Sequence, residues 1–165
     1  MSSRRHAKLA WISAIVVLAC AIGTFALPRA QAEPFESDPT AVTRDADYAA
    51  GKQAMEKKDW REALKRYHMA AKRNPENADL QNYLGYSYRN AGQMDLAFKH
   101  YLRAIALDPR HRGAHEYIGE AYLMVKNLAK AEEHLAALEQ ICLLPCEELD
   151  DLRNKVAEYK KRGAK

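Results

Sequence analysis

Residues 78–111 read ADLQNYLGYSYRNAGQMDLAFKHYLRAIALDPRH. In the first half Leu84, Tyr88 and Ala91 recur at the spacing of one helix face. Gly92-Gln93 interrupts the pattern, and a second apolar-faced run starts at Met94. Asp108-Pro109 closes it, because proline cannot donate to a helix and pushes its predecessor out of the helical region. The stretch predicts two helices, about 78–91 and 94–107, joined by a short turn.

The same pattern recurs on both sides. Gly85 has counterparts 34 residues away at Gly51 and Gly119, and Ala97 at Ala63 and Ala131. Tyr101 matches Tyr67 and Leu135, Ala104 matches Ala70 and Leu138, and Met94 matches Trp60 and Leu128. Pro109 repeats Pro75. Several positions recurring in one frame define a repeat. The units are 44–77, 78–111 and 112–145, with outer first helices at about 44–57 and 112–125 and second helices at about 60–73 and 128–142. Lys58-Asp59 and Lys126-Asn127 are the matching turns. Asp59 is expected to cap its helix with Glu62 in the reciprocal place of a capping box. Gly and Ala lack bulk, so the two helices of a unit can approach closely. The Tyr or Leu four residues after each Ala is expected to fill the space between units. Each hairpin leaves an apolar face uncovered and must stack on the next.

These residues resemble the tetratricopeptide repeat (TPR) family. The middle unit carries the family pattern with Leu84, Gly85, Tyr88, Ala97, Tyr101, Ala104 and Pro109, lacking only the opening large residue, at Gln81. The first unit departs at Asp47, Ala50 and Ala54, and the third at Leu138 and Leu143. End repeats face solvent on one side and are commonly atypical. The resemblance implies an all-α, right-handed superhelical α-solenoid of three helix-turn-helix hairpins. Residues 146–165 add a capping helix, about 146–161, with an apolar stripe of Leu149, Leu152, Val156 and Tyr159, and a basic tail; a second binding surface is the alternative reading of this helix. Glu147, Glu148, Asp150 and Asp151 at its start and Lys155, Lys160, Lys161 and Arg162 towards its end suit the helix dipole.

In the family, the first helices of the hairpins line a concave groove for peptides. Carried over position by position, that groove takes Tyr48, Lys52 and Met55, then Asn82, Tyr86 and Arg89, then Glu116, Glu120 and Leu123. As solvated groove residues, Tyr86 and Arg89 should tolerate replacement without loss of helicity or melting temperature, whereas Gly85→Leu should damage the fold. The family's carboxylate clamp for acidic peptide ends is absent, since its Lys, Asn, Asn, Lys and Arg are here Tyr48, Lys52, Tyr83, Gly113 and Tyr117.

Residues 1–32 have the layout of an export signal. Arg4, Arg5 and Lys8 precede an uncharged run from Leu9 to Leu27, and Ala30-Gln31-Ala32 offers a cleavage pattern before Glu33. The run of about 19 residues is also near the length of a membrane span, so an uncleaved anchor competes with a signal peptide. A lipoprotein reading at Cys20 is weaker, because Leu18 is bulky and the following residues remain hydrophobic. Each places the folded part outside the cytoplasmic membrane, and the Arg-led form points to the bacterial periplasm. Residues 33–43, with Pro34 and Pro39, read as a flexible linker. The chain has 26 Lys and Arg against 22 Asp and Glu, but four of the cations fall in residues 1–32, leaving 22 of each. A neutral folded part is a poor match for nucleic acid.

Cys142 and Cys146 flank Leu-Leu-Pro at the junction of repeats and cap. In an oxidising compartment a disulfide would staple the two, worth roughly 2 kcal/mol by loop entropy. Free thiols and a redox pair are the alternatives, the latter lacking the two-residue spacing of thioredoxin-like sites. His111 and His115 are four apart and read as solvated or partner-facing, with no third ligand to make a metal site. No catalytic constellation and no cofactor motif is found. The expected function is therefore a non-enzymatic, exported adaptor or scaffold that binds a protein or peptide, in envelope assembly or maintenance. Contact with the membrane is expected only through the N-terminal segment. A thiol-disulfide redox protein and a self-associating structural array are the rivals.

Overall fold

The computed structural model describes residues 45–163. The export segment, its alternative as an anchor, Cys20, and the linker at 33–43 lie outside the described residues. Seven helices follow in order: α1 (Ala46–Glu56), α2 (Trp60–Arg73), α3 (Ala78–Asn90), α4 (Met94–Leu107), α5 (Arg112–Met124), α6 (Leu128–Ile141) and α7 (Glu147–Gly163). The fold is an all-α TPR-like solenoid. α1 pairs with α2, α3 with α4 and α5 with α6, and each pair stacks on the next. α7 packs on α5 and α6, as α5 itself packs on α3 and α4. It therefore stands where the first helix of a fourth hairpin would be.

Local chemistry sets the boundaries. Asp45, Asn77, His111 and Asn127 each accept a backbone N–H in the first turn of the helix they precede. Asp59 accepts from the Glu62 N–H at 3.1 Å, but the box is half formed, because the Glu62 carboxylate turns to Arg66 at 2.7 Å. The three hairpin turns share a left-handed residue at the same repeat position: Lys58, Gly92 and Lys126, with φ of 57°, 76° and 61°. Only Gly92 adopts that conformation without steric cost, so the outer turns are held by the packing of their helices.

The core lies at the junctions between hairpins. Ala63, Tyr67, Ala70, Leu80 and Leu84 close the first, and Ala97, Tyr101, Ile118 and Ala121 the second. The repeated glycines work differently from the sequence reading. A Cβ on Gly51 would lie 2.7 Å from the Tyr67 ring, and one on Gly85 2.6 Å from the Tyr101 ring. Each glycine thus clears a slot for the aromatic ring of its own hairpin's second helix. The third slot is filled from elsewhere: a Cβ on Gly119 would meet Leu152 of α7 at 2.6 Å. Leu135, expected to act there as Tyr67 and Tyr101 do, is only half-buried. Leucine is shorter than tyrosine, and the cap supplies the missing volume. Leu149, Leu152 and Val156 bury the stripe that seals the last hairpin.

Candidate functional site

The face lined by α1, α3, α5 and α7 carries two clefts. The larger, about 720 Å³, lies between α3, α5 and α7 and is lined by Arg89, Glu120, Leu123, Met124, Lys155 and Tyr159, among others. The smaller, about 330 Å³, is lined by Asp79, Asn82, Tyr83, Glu116, Tyr117 and Asp151, with His111, Gly113, Glu147 and Glu148 completing it. Of the nine groove positions read from sequence, Asn82 and Glu116 meet in the smaller cleft and Arg89, Glu120 and Leu123 in the larger. Tyr48, Lys52, Met55 and Tyr86 line neither. Tyr48 packs edge-on against Tyr67 and Tyr83, with ring centres 6.2 and 5.8 Å away, while Lys52 is exposed. The Met55 sulfur sits 3.6 Å from the Tyr67 hydroxyl.

Arg89 is not the solvated residue expected. It is 8% exposed, donates to Glu120 Oε2 at 2.6 Å and to the Tyr117 carbonyl at 3.2 Å, and lies 5.0 and 5.5 Å from the ring centres of Tyr86 and Tyr117. Its length lets it cross from α3 to α5, so it bonds the second and third hairpins. Asn82 and Glu116 are likewise buried, at 4% and 8% exposed. Helix packing brings α5 over Asn82 and α7 over Glu116, which a helical wheel cannot show. Tyr86 stays half-buried, 4.9 Å from Tyr117 and 6.0 Å from Trp60 by ring centres.

The sequence reading of α7 as a cap, with a second binding surface as the alternative, did not name the residues that this helix brings to the clefts. Glu148, Asp151, Lys155 and Tyr159 recur at 3, 4 and 4 residues along one face, and that face lines both clefts. This polar stripe, beside the apolar one, was the available signal.

The Glu116 carboxyl is pushed up to about 8, first by burial and then by the negative charges of Glu120, Asp151 and Glu148. The histidines shift the other way. Burial first, and the neighbouring His68 next, pull His100 down to about 4; burial and His115 do the same to His134. His115 is also lowered, chiefly by burial. His115 Nε2 can only donate to the Pro109 carbonyl at 3.2 Å, so its Nδ1 accepts from His134 Nδ1 at 3.0 Å. A proton added to His115 would face the His134 N–H. The reading of His111 and His115 as solvated or partner-facing is therefore corrected: His115 is 6% exposed, and His111 caps α5 with its Nε2 3.1 Å from Asp79.

These shifts set a pH optimum of stability. The histidines are depressed in the fold, so their contribution is complete above the unfolded value of 6.5 and is lost as pH falls towards 4. Glu116 is raised, so its contribution is complete below 4.5 and is lost as pH rises through about 8. Melting temperature should peak near pH 6.5, with slopes of at most about 1.4 kcal/mol per pH unit for each group. Glu116→Gln should flatten the alkaline limb in a series of thermal melts and leave the acid limb in place.

Cys142 and Cys146 are brought to bonding geometry, with Cα atoms 6.1 Å apart, within the range of a disulfide. Between them Leu143 and Leu144 are 86% and 80% exposed.

A family model described as tetratricopeptide repeat matches residues 48–110 and 97–142. The chain belongs to the tetratricopeptide repeat family. Human protein O-mannosyl-transferase TMTC3 is 32% identical over 75 residues, which is 46% of this chain but 8% of that protein; the mouse protein matches the same length at 33%. Among solved TPR structures, the TPR2B domain of yeast Sti1 in its pHsp70 complex has 26% identity and a TM-score of 0.59, covering 68% of this chain and 94% of that one. The first TPR of Spaghetti (RPAP3) bound to the HSP90 peptide SRMEEVD has 16% identity and a TM-score of 0.65, over 78% and 97% of the two chains. The Yersinia enterocolitica type III secretion chaperone SycD with a peptide of the translocator YopD gives 19% and 0.62, over 76% and 93%.

Proposed function

We propose that this TPR protein is a non-enzymatic adaptor that holds a peptide segment of a partner protein along α3, α5 and α7. The observation that carries the reading is the larger cleft, where Leu123, Met124 and Tyr159 offer apolar surface beside fixed charges. Apolar anchors with a charged rim are the usual make-up of a peptide site. The peptide complexes among the similar TPR structures support the kind of partner. The adaptor works outside the cytoplasmic membrane in envelope assembly or maintenance, a placement that rests on the Arg-led apolar leader. Sequencing the mature amino terminus checks it: Glu33 reports a cleaved signal, and Met1 on exported protein an anchor.

The groove is tested with a displayed library of random peptides selected on the protein. Tyr159→Ala should abolish capture of the enriched peptides while costing only a few degrees of melting temperature, since its ring is half-buried and lines the larger cleft. Unchanged capture by a folded Tyr159→Ala protein would move the partner elsewhere.

The Cys142–Cys146 pair acts in this proposal as a staple between α6 and α7. Intact mass of exported protein should lie about 2 Da below the reduced value, with no alkylation before reduction. Replacing both with serine should cost roughly 2 kcal/mol of stability and leave peptide capture intact below the new melting point. Two freely alkylated thiols would refute the staple, and complete loss of function in a folded variant would favour the redox reading.

A further inference from the structure

The smaller cleft holds polar groups that the fold does not use. Glu116, on α5, is 8% exposed, opens onto the cleft, and has no hydrogen bond or ion pair among the described residues. Asn82, from α3 on the opposite wall, is 4% exposed, and its Oδ1 is buried without a partner among the described residues. Burying an unpaired acceptor costs stability, and a carboxylate costs more. Both groups need donors. The donors around the cleft are already committed: His111 Nε2 lies 3.1 Å from Asp79, and Arg112 pairs with Glu148 at 3.7 Å and Arg89 with Glu120 at 2.6 Å. Asp151, on α7, adds a further carboxylate that has no ion pair among the described residues.

We propose that this cleft is a specificity pocket for one basic side chain, lysine or arginine, of the bound peptide. The proposal rests on the peptide-groove reading and deepens it. Ammonium and guanidinium groups are donors only, which is what Asn82 Oδ1 and the Glu116 carboxylate lack. The half-buried rings of Tyr83 and Tyr117 line the same cleft and suit the aliphatic stem and the cation. No three His, Cys, Asp or Glu among the described residues are placed to hold a metal ion, which favours an organic cation over a bare one. The charge is opposite to that of a site for an acidic peptide such as the SRMEEVD bound by Spaghetti (RPAP3).

Binding of a cation must displace the proton that Glu116 retains up to about 8. The charged groups facing it are Glu120 on α5, Asp151 and Glu148 on α7, and Arg89 on α3. Affinity for a basic side chain should therefore rise between pH 6.5 and 8.5, while lysine and arginine remain charged.

The test is a nuclear magnetic resonance titration of the isotope-labelled protein with Nα-acetyl-lysine amide and Nα-acetyl-arginine amide. Nα-acetyl-norleucine amide serves as the neutral control. The basic probes should shift the Asn82 side-chain amide and the Gly113 backbone amide saturably, and the norleucine probe should not. Glu116→Gln, a near-isosteric change, should keep the fold and weaken the basic probes about tenfold, a loss of roughly one charge-assisted hydrogen bond. Asp151→Asn should weaken them less. Equal shifts from norleucine, no saturable shift, or unchanged affinity in Glu116→Gln would overturn the pocket. So would saturation of the same signals by calcium chloride at lower concentration than arginine amide, which would make it a metal site. The two readings fail separately. Library peptides captured through Tyr159 but lacking a fixed basic residue would sink the pocket alone. Saturable probe binding with no peptide captured would sink the groove alone.

Discussion

Arg89→Glu is expected to lower the melting temperature by roughly 15 °C and to lose the coupling between the second and third hairpins. The arginine is 8% exposed and bonds Glu120 and the Tyr117 carbonyl, with the rings of Tyr86 and Tyr117 beside it. Its removal leaves the partly buried Glu120 without its closest cation. The new carboxylate then enters a region that already holds Glu120 and Glu116. Breaking a buried pair from one side costs about 3–5 kcal/mol, and the 19% exposure of the Glu120 side chain places the effect at the lower end. Arg89→Ala should cost less than Arg89→Glu, and Glu120→Gln in the Arg89→Glu background should recover part of the loss. Thermal melts of the three proteins decide the matter. A melting point within two or three degrees of the parent, by the same order of estimate, would mean that Arg89 is free in solution as its groove position first implied.

The second large effect is at Gly85, and its sign is diagnostic. Alanine in place of glycine inside a helix normally stabilises by about 1 kcal/mol. Here Gly85→Ala should destabilise, because the added carbon would lie 2.6 Å from the Tyr101 ring. That ring is fully buried and cannot swing into solvent. Gly85→Leu adds more atoms to the same slot and should cost about 3 kcal/mol, the upper part of the range for overpacking. The drop in melting temperature would be on the order of 12 °C. Gly85→Ala combined with Tyr101→Leu should be less damaging than the sum of the two changes, because the shorter side chain relieves the clash. A Gly85→Ala protein that melts above the parent would show that the slot has room.

Sequence reasoning named the helices of the expected groove but not the exposures of its residues. Tyr86 is half-buried, while Arg89 three residues later is almost wholly buried. One turn of α3 separates them, and what differs is the helix that crosses above. Asn82 and Glu116 were expected on the groove side, yet nothing in a one-dimensional pattern says that α5 packs over the one and α7 over the other. α7 was legible as a cap through Leu149, Leu152 and Val156, but its second, polar face had no partner in the repeat pattern to give it meaning.

What the sequence by itself determined is the repeat. The 34-residue recurrence of Gly, Ala, Tyr and Pro dictates helical hairpins that cannot bury their own faces, and so a stacked array. These are local consequences of helix periodicity, turn chemistry and side-chain volume, and they survive in any context. Tertiary structure alone decided which side chain fills each glycine slot, with Leu152 of α7 taking the place that Leu135 was expected to hold. It also decided that Arg89 is a buried tie and that Asn82 and Glu116 share one cleft. The reason is that burial and pairing depend on distances between helices far apart in the chain, which no spacing within one helix encodes.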